Sequence, residues 1–351
     1  MIEIDGSEGE GGGQIVRTAL SFSMLTGKPL KITNIRAGRP EPGLKSQHVH
    51  CITGLQQFCD IKVEGANLGS TELSFYPEKI NGGYASIDIG TSGSISLLLQ
   101  CLLPVALFAD RKTVIEVTGG TCGKWQPSVE YLQHVLFPMI QRFAKKLTIS
   151  IQKRGYFPKG GGKVIVEVLG KYKRNDFKTF EDFIKVLQDK IDPYNLEERG
   201  KLFAITGISH ASTDLEAAKV AERQAEAATM LLSRIQRPNM EIEYSTTDST
   251  GSIICLFAKF EKTILGVDIL GEKGNQAEKI GETCAKELIK ELEKIDTLDK
   301  HAQDQIIPYL ALSSGSIKVS ELTNHTKTNM TIANLFIPEK LKYGDETLKS
   351  K

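Results

Sequence analysis

A glycine-rich segment near the start of the chain is the first candidate for chemistry. A strand-like stretch over residues 2–5 is followed by Gly6-Ser7-Glu8-Gly9-Glu10-Gly11-Gly12-Gly13, and a helical pattern begins near Gln14. Such a loop, at a helix N-terminus whose dipole favours anions, predicts either a phosphate site or an ordinary strand-to-helix turn. It matches neither a P-loop nor a dinucleotide fingerprint. A carboxylate there repels phosphate unless a cation lies between them, so Glu10 is a candidate Mg²⁺ ligand.

Basic residues cluster in the loop that follows the next predicted strand. Arg36 and Arg39 lie in this loop, Arg17 lies one helix earlier, and Gln47 and His48 follow it. Guanidinium groups bind phosphate oxygens through paired N–H donors, so the cluster suits a polyphosphate or the end of a nucleic acid. A solvated arginine pair is the ordinary alternative. The position beside the glycine-rich segment favours a phosphate site.

His325 is the candidate nucleophile. It lies in the polar loop 322–329, where a neighbouring hydroxyl or amide could fix the tautomer of a neutral imidazole that attacks phosphorus. The ordinary alternative is a histidine with no catalytic role. A second glycine run, Gly160–Gly162 between Arg154 and Lys163, is typical of a hairpin turn, and we interpret it as structural.

Three similar segments supply the elements that must position these residues. Each has an apolar helical pattern, an alternating strand and a polar loop, and the first two are 80 residues apart, at Ile15 and Ile95. Alternating helix and strand patterns predict an α/β fold, in which three packed units bring their loops to a shared cleft. Of the six histidines, only His325 lies in such a loop.

The stretch between the second and third segments breaks the pattern. Residues 171–200 are highly charged, and the strand and helix patterns that follow predict a separate small α/β module. We therefore predict a core over residues 1–195, an inserted domain over 196–293 and the third repeat over 294–351.

Composition limits the class of protein. The chain has 351 residues with 44 Lys and Arg against 43 Asp and Glu, so any nucleic-acid or nucleotide site must be a local cluster. Six cysteines without a C-x-x-C pair, and an N-terminus without a signal pattern, predict reduced thiols and a cytoplasmic protein. The longest apolar run, residues 95–109, is too short to span a bilayer and predicts a buried helix, with no membrane partner.

Four motifs in this order resemble the RNA 3′-terminal phosphate cyclase family: DGSEGEGGGQIVR, IRAGRPEPGLKSQH, RGYFPKGGGKV and NHTKTN. The resemblance runs from Ile4 to about Phe336. It implies three α/β repeats, similar to the C-terminal domain of a translation initiation factor, with a smaller α/β domain inserted before the last. It also implies an enzyme that uses ATP to convert an RNA 3′-phosphate to a 2′,3′-cyclic phosphodiester. Histidine–AMP and RNA-(3′)pp(5′)A would be the intermediates, and pyrophosphate and AMP would be released.

The resemblance also implies roles for individual residues. His325 would be the nucleophile and Glu10 the ligand of Mg²⁺ or Mn²⁺. Contacts to phosphates and the RNA end would come from Gln14, Arg17, Arg36, Arg39 and Gln47. The adenosine pocket would include Gln100, Pro127, Tyr131, His301, Ala302, Gln303, Asp304 and Gln305, with the Tyr131 ring on the base or ribose. His301 replaces a tyrosine of bacterial relatives, residues 122–125 depart from the family's adenosine loop, and no role is assigned to Trp125.

Two alternative functions are considered beside this enzyme. A catalytically inactive branch of the family binds RNA in ribosome assembly, but it lacks the histidine that NHTKTN retains. An enolpyruvyl transferase also has repeated α/β units, but six of them and no ATP-dependent step. The sequence leaves open the RNA substrates, the preferred metal, the role of the insert and whether the chain forms a homodimer.

Overall fold

The computed structural model describes residues 1–351 as a mixed α/β structure built on four sheets of four strands each. The first sheet has the order β1-β2-β4-β3, with β1 and β2 parallel and the other pairs antiparallel. Its elements are β1 (Ile2–Asp5), α1 (Gly13–Thr26), β2 (Leu30–Thr33), α2 (Ser46–Gln56), β3 (Cys59–Glu64) and β4 (Leu73–Ile80). None of the helices in the molecule combines the length and apolar character needed to cross a bilayer.

The second sheet repeats the first. Its order is β5-β6-β8-β7, again with one parallel pair followed by two antiparallel pairs. Its elements are β5 (Gly83–Asp88), α3 (Ile95–Ala106), β6 (Thr113–Gly119), α4 (Val129–Tyr131), a π-helical turn (Leu132–Leu136), α5 (Phe137–Ile140), a 3₁₀ turn (Gln141–Phe143), β7 (Ala144–Lys153) and β8 (Gly162–Gly170). The predicted buried helix is α3, and the predicted hairpin is formed by β7 and β8.

The third sheet has the same order with a long interruption. Strand β9 (Tyr194–Leu196) pairs in parallel with β14 (Gly315–Lys318), and β16 (Thr347–Ser350) joins β14 to β15 (Leu341–Gly344). Preceding β9 are a 3₁₀ turn (Arg174–Asp176) and α6 (Phe180–Lys190), and the later helices are α9 (Ala302–Gln305), α10 (Ile307–Leu312) and α11 (Asn324–Phe336). The predicted division between residues 195 and 196 falls inside β9, and the limits of the three spans stay predictions.

The fourth sheet lies within the interruption. Its order is β11-β10-β12-β13, and its elements are β10 (Leu202–Ser212), a 3₁₀ turn (Thr213–Leu215), α7 (Val220–Leu232), β11 (Asn239–Ser245), β12 (Ser252–Phe260), β13 (Ile264–Leu270) and α8 (Ala277–Glu293). A separate cluster of 12 buried apolar residues lies between this sheet and its two helices. The other face of β12 presents Ile253, Cys255 and Phe257 to the main core.

Helix α1 lies at the centre of the molecule. Every residue from Gln14 to Thr26 is buried, and the helix packs against α3 and α11. A helix that is covered on all sides belongs to the interior of a larger core. The main core of 79 buried residues is continuous through the first three sheets and their helices, so the N-terminus of α1 is held rigidly where the glycine-rich segment ends.

Candidate active site

The predicted polar loop over residues 322–329 is wrong from Asn324 onward, because His325 lies in the first turn of helix α11. The helix begins at a side-chain cap. The hydroxyl of Thr323 accepts a hydrogen bond from the backbone N–H of Thr326 at 3.1 Å, the usual arrangement of an N-cap threonine. This cap fixes the direction of the chain at Asn324 and His325. About half of the His325 side chain is exposed, so the ring is held by the protein on one side and open on the other.

The Nδ1 atom of His325 faces two acceptors. The carboxylate oxygen Oε2 of Glu10 lies 2.5 Å away, and the amide oxygen of Gln14 also contacts Nδ1. Because both of these oxygen atoms only accept hydrogen bonds, the proton of the neutral ring belongs on Nδ1. Nε2 then keeps its lone pair. The hydrogen bond to Glu10 also raises the pKa of His325 above its ordinary value, although burial acts in the opposite direction.

Glu10 is held by contacts from the loop that contains Arg39 and from helix α11. Arg39 donates to its Oε1 at 3.0 Å and to its backbone carbonyl at 3.1 Å, and the Glu10 backbone N–H donates to the hydroxyl of Thr328 at 3.3 Å. Burial raises the pKa of Glu10, but His325 and Arg39 outweigh burial and hold the pKa below its usual value. The carboxylate is therefore ionised at neutral pH.

A single ionised carboxylate is the donor set with which Mg²⁺ commonly binds protein when phosphate and water supply the other ligands. Oε2 of Glu10 is buried and has no hydrogen-bond partner beyond its close approach to His325. No group of three or more His, Cys, Asp or Glu side chains is placed to hold a metal. Glu10 therefore suits a cation that phosphate oxygens would also bind. It does not belong to a metal site formed by protein groups alone.

Gln14 links His325 to Asp304. Its amide nitrogen donates to Oδ2 of Asp304 at 3.0 Å and approaches the carbonyl of His325 at 3.5 Å. Burial raises the pKa of Asp304 to about 6. Asn329 donates to the Asp304 carbonyl at 2.9 Å and accepts from Thr18 at 2.6 Å, so α1, α9 and α11 are joined through polar groups directly behind the histidine.

Five of the residues implied by the resemblance line one small cavity of about 20 Å³ beside this group: Gln14, Arg17, Gln100, Asp304 and Gln305. They come from α1, α3 and α9. Arg17 is 8% exposed and its Nε has no partner, which leaves a buried donor available. Burial lowers the pKa of Arg17, though the guanidinium stays charged.

Two of the implied phosphate ligands lie apart from this cluster. Arg36 donates to the backbone carbonyls of Glu41 at 2.7 Å and Gly43 at 3.0 Å, so its guanidinium stabilises its own loop. Gln47 lines a separate cleft of about 920 Å³. Both residues surround the site without contacting His325.

The implied adenosine residues are mostly buried. The carbonyl of Pro127 accepts from Ser96 at 2.5 Å, while Ala302 and Gln303 are within the interior. Tyr131 is 1% exposed, and its hydroxyl donates to Asp299 at 2.6 Å. The Tyr131 ring meets the edge of the His301 ring, and His301 alone of these residues lines the open cleft of about 650 Å³ that also includes Asp268 and Trp125.

Three residues that contact the site received no individual role from the sequence: Thr328, Asn329 and Asp299. Thr328 and Asn329 lie three and four residues after His325, the helical spacing that places side chains on one face, so periodicity could have identified them. Asp299 accepts from Tyr131 and caps α9 through the backbone N–H groups of His301 and Ala302 at 2.9 and 3.0 Å. A polar residue just before a helix was the only available signal for Asp299.

Comparison with known proteins finds a matching family and similar chains. A family model described as RNA 3′-terminal phosphate cyclase matches residues 8–343. Curated proteins named RNA 3′-terminal phosphate cyclase include one from Pyrococcus furiosus, 42% identical over 337 residues and covering 96% of this chain and 93% of that protein. A second, from Methanosarcina mazei, is 41% identical over 349 residues and covers 99% of this chain and 97% of that protein.

Proposed function

This chain belongs to the RNA 3′-terminal phosphate cyclase family, and from its site we propose that it uses ATP to convert an RNA 3′-terminal phosphate to a 2′,3′-cyclic phosphodiester. The observation that carries the proposal is the pairing of Nδ1 of His325 with Glu10 and Gln14. This pairing leaves Nε2 as a nucleophile on the open side of the ring. This arrangement supports an enzyme over a binding protein, because it prepares Nε2 for attack.

The reaction has three transfers at phosphorus. In the first, Nε2 of His325 forms a bond to the α-phosphorus of ATP while the bond to the β-phosphate breaks and pyrophosphate leaves. In the second, an oxygen of the RNA 3′-phosphate attacks the same phosphorus, the N–P bond breaks, and RNA-(3′)pp(5′)A forms. In the third, the neighbouring 2′-hydroxyl attacks the RNA phosphorus, loses its proton, and expels AMP. The second transfer creates a good leaving group, and the hydroxyl is already close to its target.

In these steps the protein positions the reacting groups and neutralises the charge of the phosphates. Gln14 and Glu10 hold the tautomer of His325, and Asp304 holds the Gln14 amide in the orientation that presents its oxygen to the ring. Arg17 and Arg39 are the nearest cations for phosphate oxygens, with Arg36 and Gln47 further out as RNA-end contacts. A Mg²⁺ or Mn²⁺ ion at Glu10 would neutralise phosphate charge. Gln100, Pro127, Tyr131 and residues 301–305 would form or support the adenosine pocket.

The test is cyclisation of an RNA that carries ³²P in its 3′-phosphate. The wild type should make the label resistant to phosphatase only when ATP and Mg²⁺ are present, and His325→Ala should not. Thr331→Ala, an exposed position on the same helix, serves as the control and should behave as the wild type. Equal cyclisation by His325→Ala would refute the role of His325, and RNA binding without cyclisation by the wild type would favour the inactive branch.

A further inference from the structure

Trp125 is the only tryptophan of the chain, and 97% of it is exposed. Its φ of +61° is a left-handed conformation, which is strained for a bulky residue. The turn is closed by a bridge between Gly123 and Gln126, and Lys124 pairs at 2.7 Å with Glu272, which lies just after β13 of the inserted sheet. An indole ring that is exposed to solvent on a strained turn does not pack in the core, so it is available for a ligand.

Phe157 is a second exposed aromatic residue, with 75% of its surface accessible. It lies at the end of the β7–β8 hairpin. Trp125 and Phe157 both line the cleft of about 920 Å³, which runs between the second sheet's loops and the inserted sheet at Thr250–Ser252 and Leu270–Lys273. Two aromatic side chains in one open cleft form a surface on which flat ligands stack.

The same cleft approaches the candidate active site through Gln47, which is one of its lining residues. The next residue, His48, packs its ring so closely against Gly13 that a Cβ there would lie 1.9 Å from Nε2, and Gln14 contacts His325. An RNA strand whose 3′ end lies at His325 could therefore run past Gln47 to the two aromatic residues.

We propose that this cleft binds the nucleotides that precede the 3′-terminal phosphate, as a single strand whose bases stack on Trp125 and Phe157. The proposal rests on the proposed function, because it takes RNA as the substrate. Stacking accepts every base, because every base has a flat aromatic face. The charged residues of the cleft are Lys124, Glu272 and Lys273, and Lys124 is paired with Glu272. Stacking must therefore carry the affinity, and the cleft should bind without sequence preference and with weak dependence on salt.

Fluorescence of the single tryptophan tests the proposal without ATP. A five-nucleotide RNA with a 3′-phosphate should quench Trp125, and an RNA with abasic riboses before the terminal nucleotide should neither quench it nor bind as tightly. Trp125→Ala and Phe157→Ala should each weaken binding of labelled RNA about tenfold, the equivalent of about 1.4 kcal/mol. Trp125→Phe should restore part of the loss. Leu68→Ala, at an apolar residue 71% exposed elsewhere, is the matched control.

The outcomes separate this proposal from the function on which it rests. Labelling of the protein by α-³²P-ATP without RNA should be the same in Phe157→Ala as in the wild type. RNA that is bound and cyclised with unchanged Trp125 fluorescence and unchanged affinity in both aromatic variants would overturn the cleft proposal alone. Quenching of Trp125 fluorescence by ATP and not by RNA would also overturn the cleft proposal, and would show that Trp125 contacts the adenosine. Failure of the wild type to bind any 3′-phosphorylated RNA would overturn both.

Discussion

At the scale of single residues, Glu10 has two effects on His325 that oppose each other. Its carboxylate fixes the proton on Nδ1, which exposes Nε2 for attack. The same negative charge stabilises the imidazolium, which has no lone pair to donate. The raised pKa of His325 means that transfer of AMP to the enzyme should become faster as the pH rises through that pKa and the ring loses its proton.

Glu10→Gln should lower the pKa of His325, because the substitution removes the negative charge and keeps the shape of the side chain. Histidine NMR of the ligand-free protein measures this pKa, and the spectrum of His325→Ala assigns the resonance. Glu8→Gln, an exposed position of the same loop, should leave the pKa unchanged. An unchanged pKa in Glu10→Gln would show that Glu10 does not contact the imidazole in solution.

His48 is a buried neutral histidine whose effect is on stability. Burial, with the charges of Arg17, Arg36 and Lys45, lowers its pKa to about 3, and its Nδ1 accepts from the Lys45 backbone N–H at 2.9 Å. The unfolded chain binds a proton at this residue below about pH 6.5 and the folded chain does not, so stability falls as the pH falls from 6.5 towards 3.

Replacing His48 by Asn keeps an acceptor for Lys45 and removes the titration. Between pH 7 and pH 5 the wild type should lose about 2 kcal/mol more unfolding free energy than His48→Asn does. Urea unfolding at the two pH values gives the difference, and His210 and the other titrating groups cancel because both proteins contain them. Parallel losses in the two proteins would contradict the assignment.

At the scale of elements, the second glycine run acts through close packing of the β7–β8 hairpin. Gly160 has a φ of +71°, and a Cβ at this position would lie 2.5 Å from the carbonyl oxygen of Thr91 and 2.8 Å from Cα of Ser92. Those atoms are backbone and cannot rotate away. The interpretation of this run as structural agrees with that packing, since the hairpin can approach the loop before α3 only where side chains are absent.

Gly160→Ala should therefore destabilise the protein by about 1–3 kcal/mol more than Gly90→Ala does. Gly90 has nearly the same φ, +73°, but a Cβ there meets nothing within 4 Å, so the comparison removes the conformational cost common to both. Urea denaturation measures each free energy of unfolding. Equal losses would mean that the hairpin moves away from Thr91 without cost.

The elements that the sequence predicted best are those with a strong local signal. The glycine-rich segment leads into α1 within one residue of the predicted start, and the apolar run at Ile95 forms α3. Other features depend on distant partners. The hydroxyl of the buried Tyr131 finds its acceptor in Asp299, 168 residues away. Arg36 bends back to Glu41 and Gly43 in its own loop. Strand β9 is only three residues long and pairs with β14 across the whole insert, so no local pattern could assign it.

At the scale of the whole molecule, an ionic network centred on the buried Arg154 joins the second sheet to the inserted sheet. Arg154 contacts Glu130, donates to both carboxylate oxygens of Glu243 at 2.8 and 2.7 Å, and lies 2.9 Å from Nε2 of His210. Tyr156 contacts Nδ1 of the same histidine at 2.6 Å. The contacts of Glu130 with His210 and with the Arg154 guanidinium outweigh burial and hold the pKa of Glu130 well below its usual value. This network fixes the two walls of the cleft that contains Trp125 and Phe157.

Arg154→Met should cost about 3–5 kcal/mol of unfolding free energy, because the Glu130 carboxylate would remain buried without its guanidinium partner. The adjacent residue offers a matched control. Lys153 forms an exposed pair with Asp248 at 2.8 Å between the same two regions, and Lys153→Met should cost about 0–1 kcal/mol. Thermal and urea unfolding measure both. A similar small loss in the two variants would show that the network is not desolvated.

The central claim is that His325 carries AMP covalently, and it is tested most directly without RNA. The protein is incubated with α-³²P-ATP and Mg²⁺, and protein-bound label is measured in the wild type and in His325→Ala. We predict a label that is lost in acid, survives alkali and is absent from the variant, as expected for a phosphoramidate at the histidine. A folded wild-type protein that acquires no label from intact ATP would contradict the account and favour an RNA-binding role without catalysis.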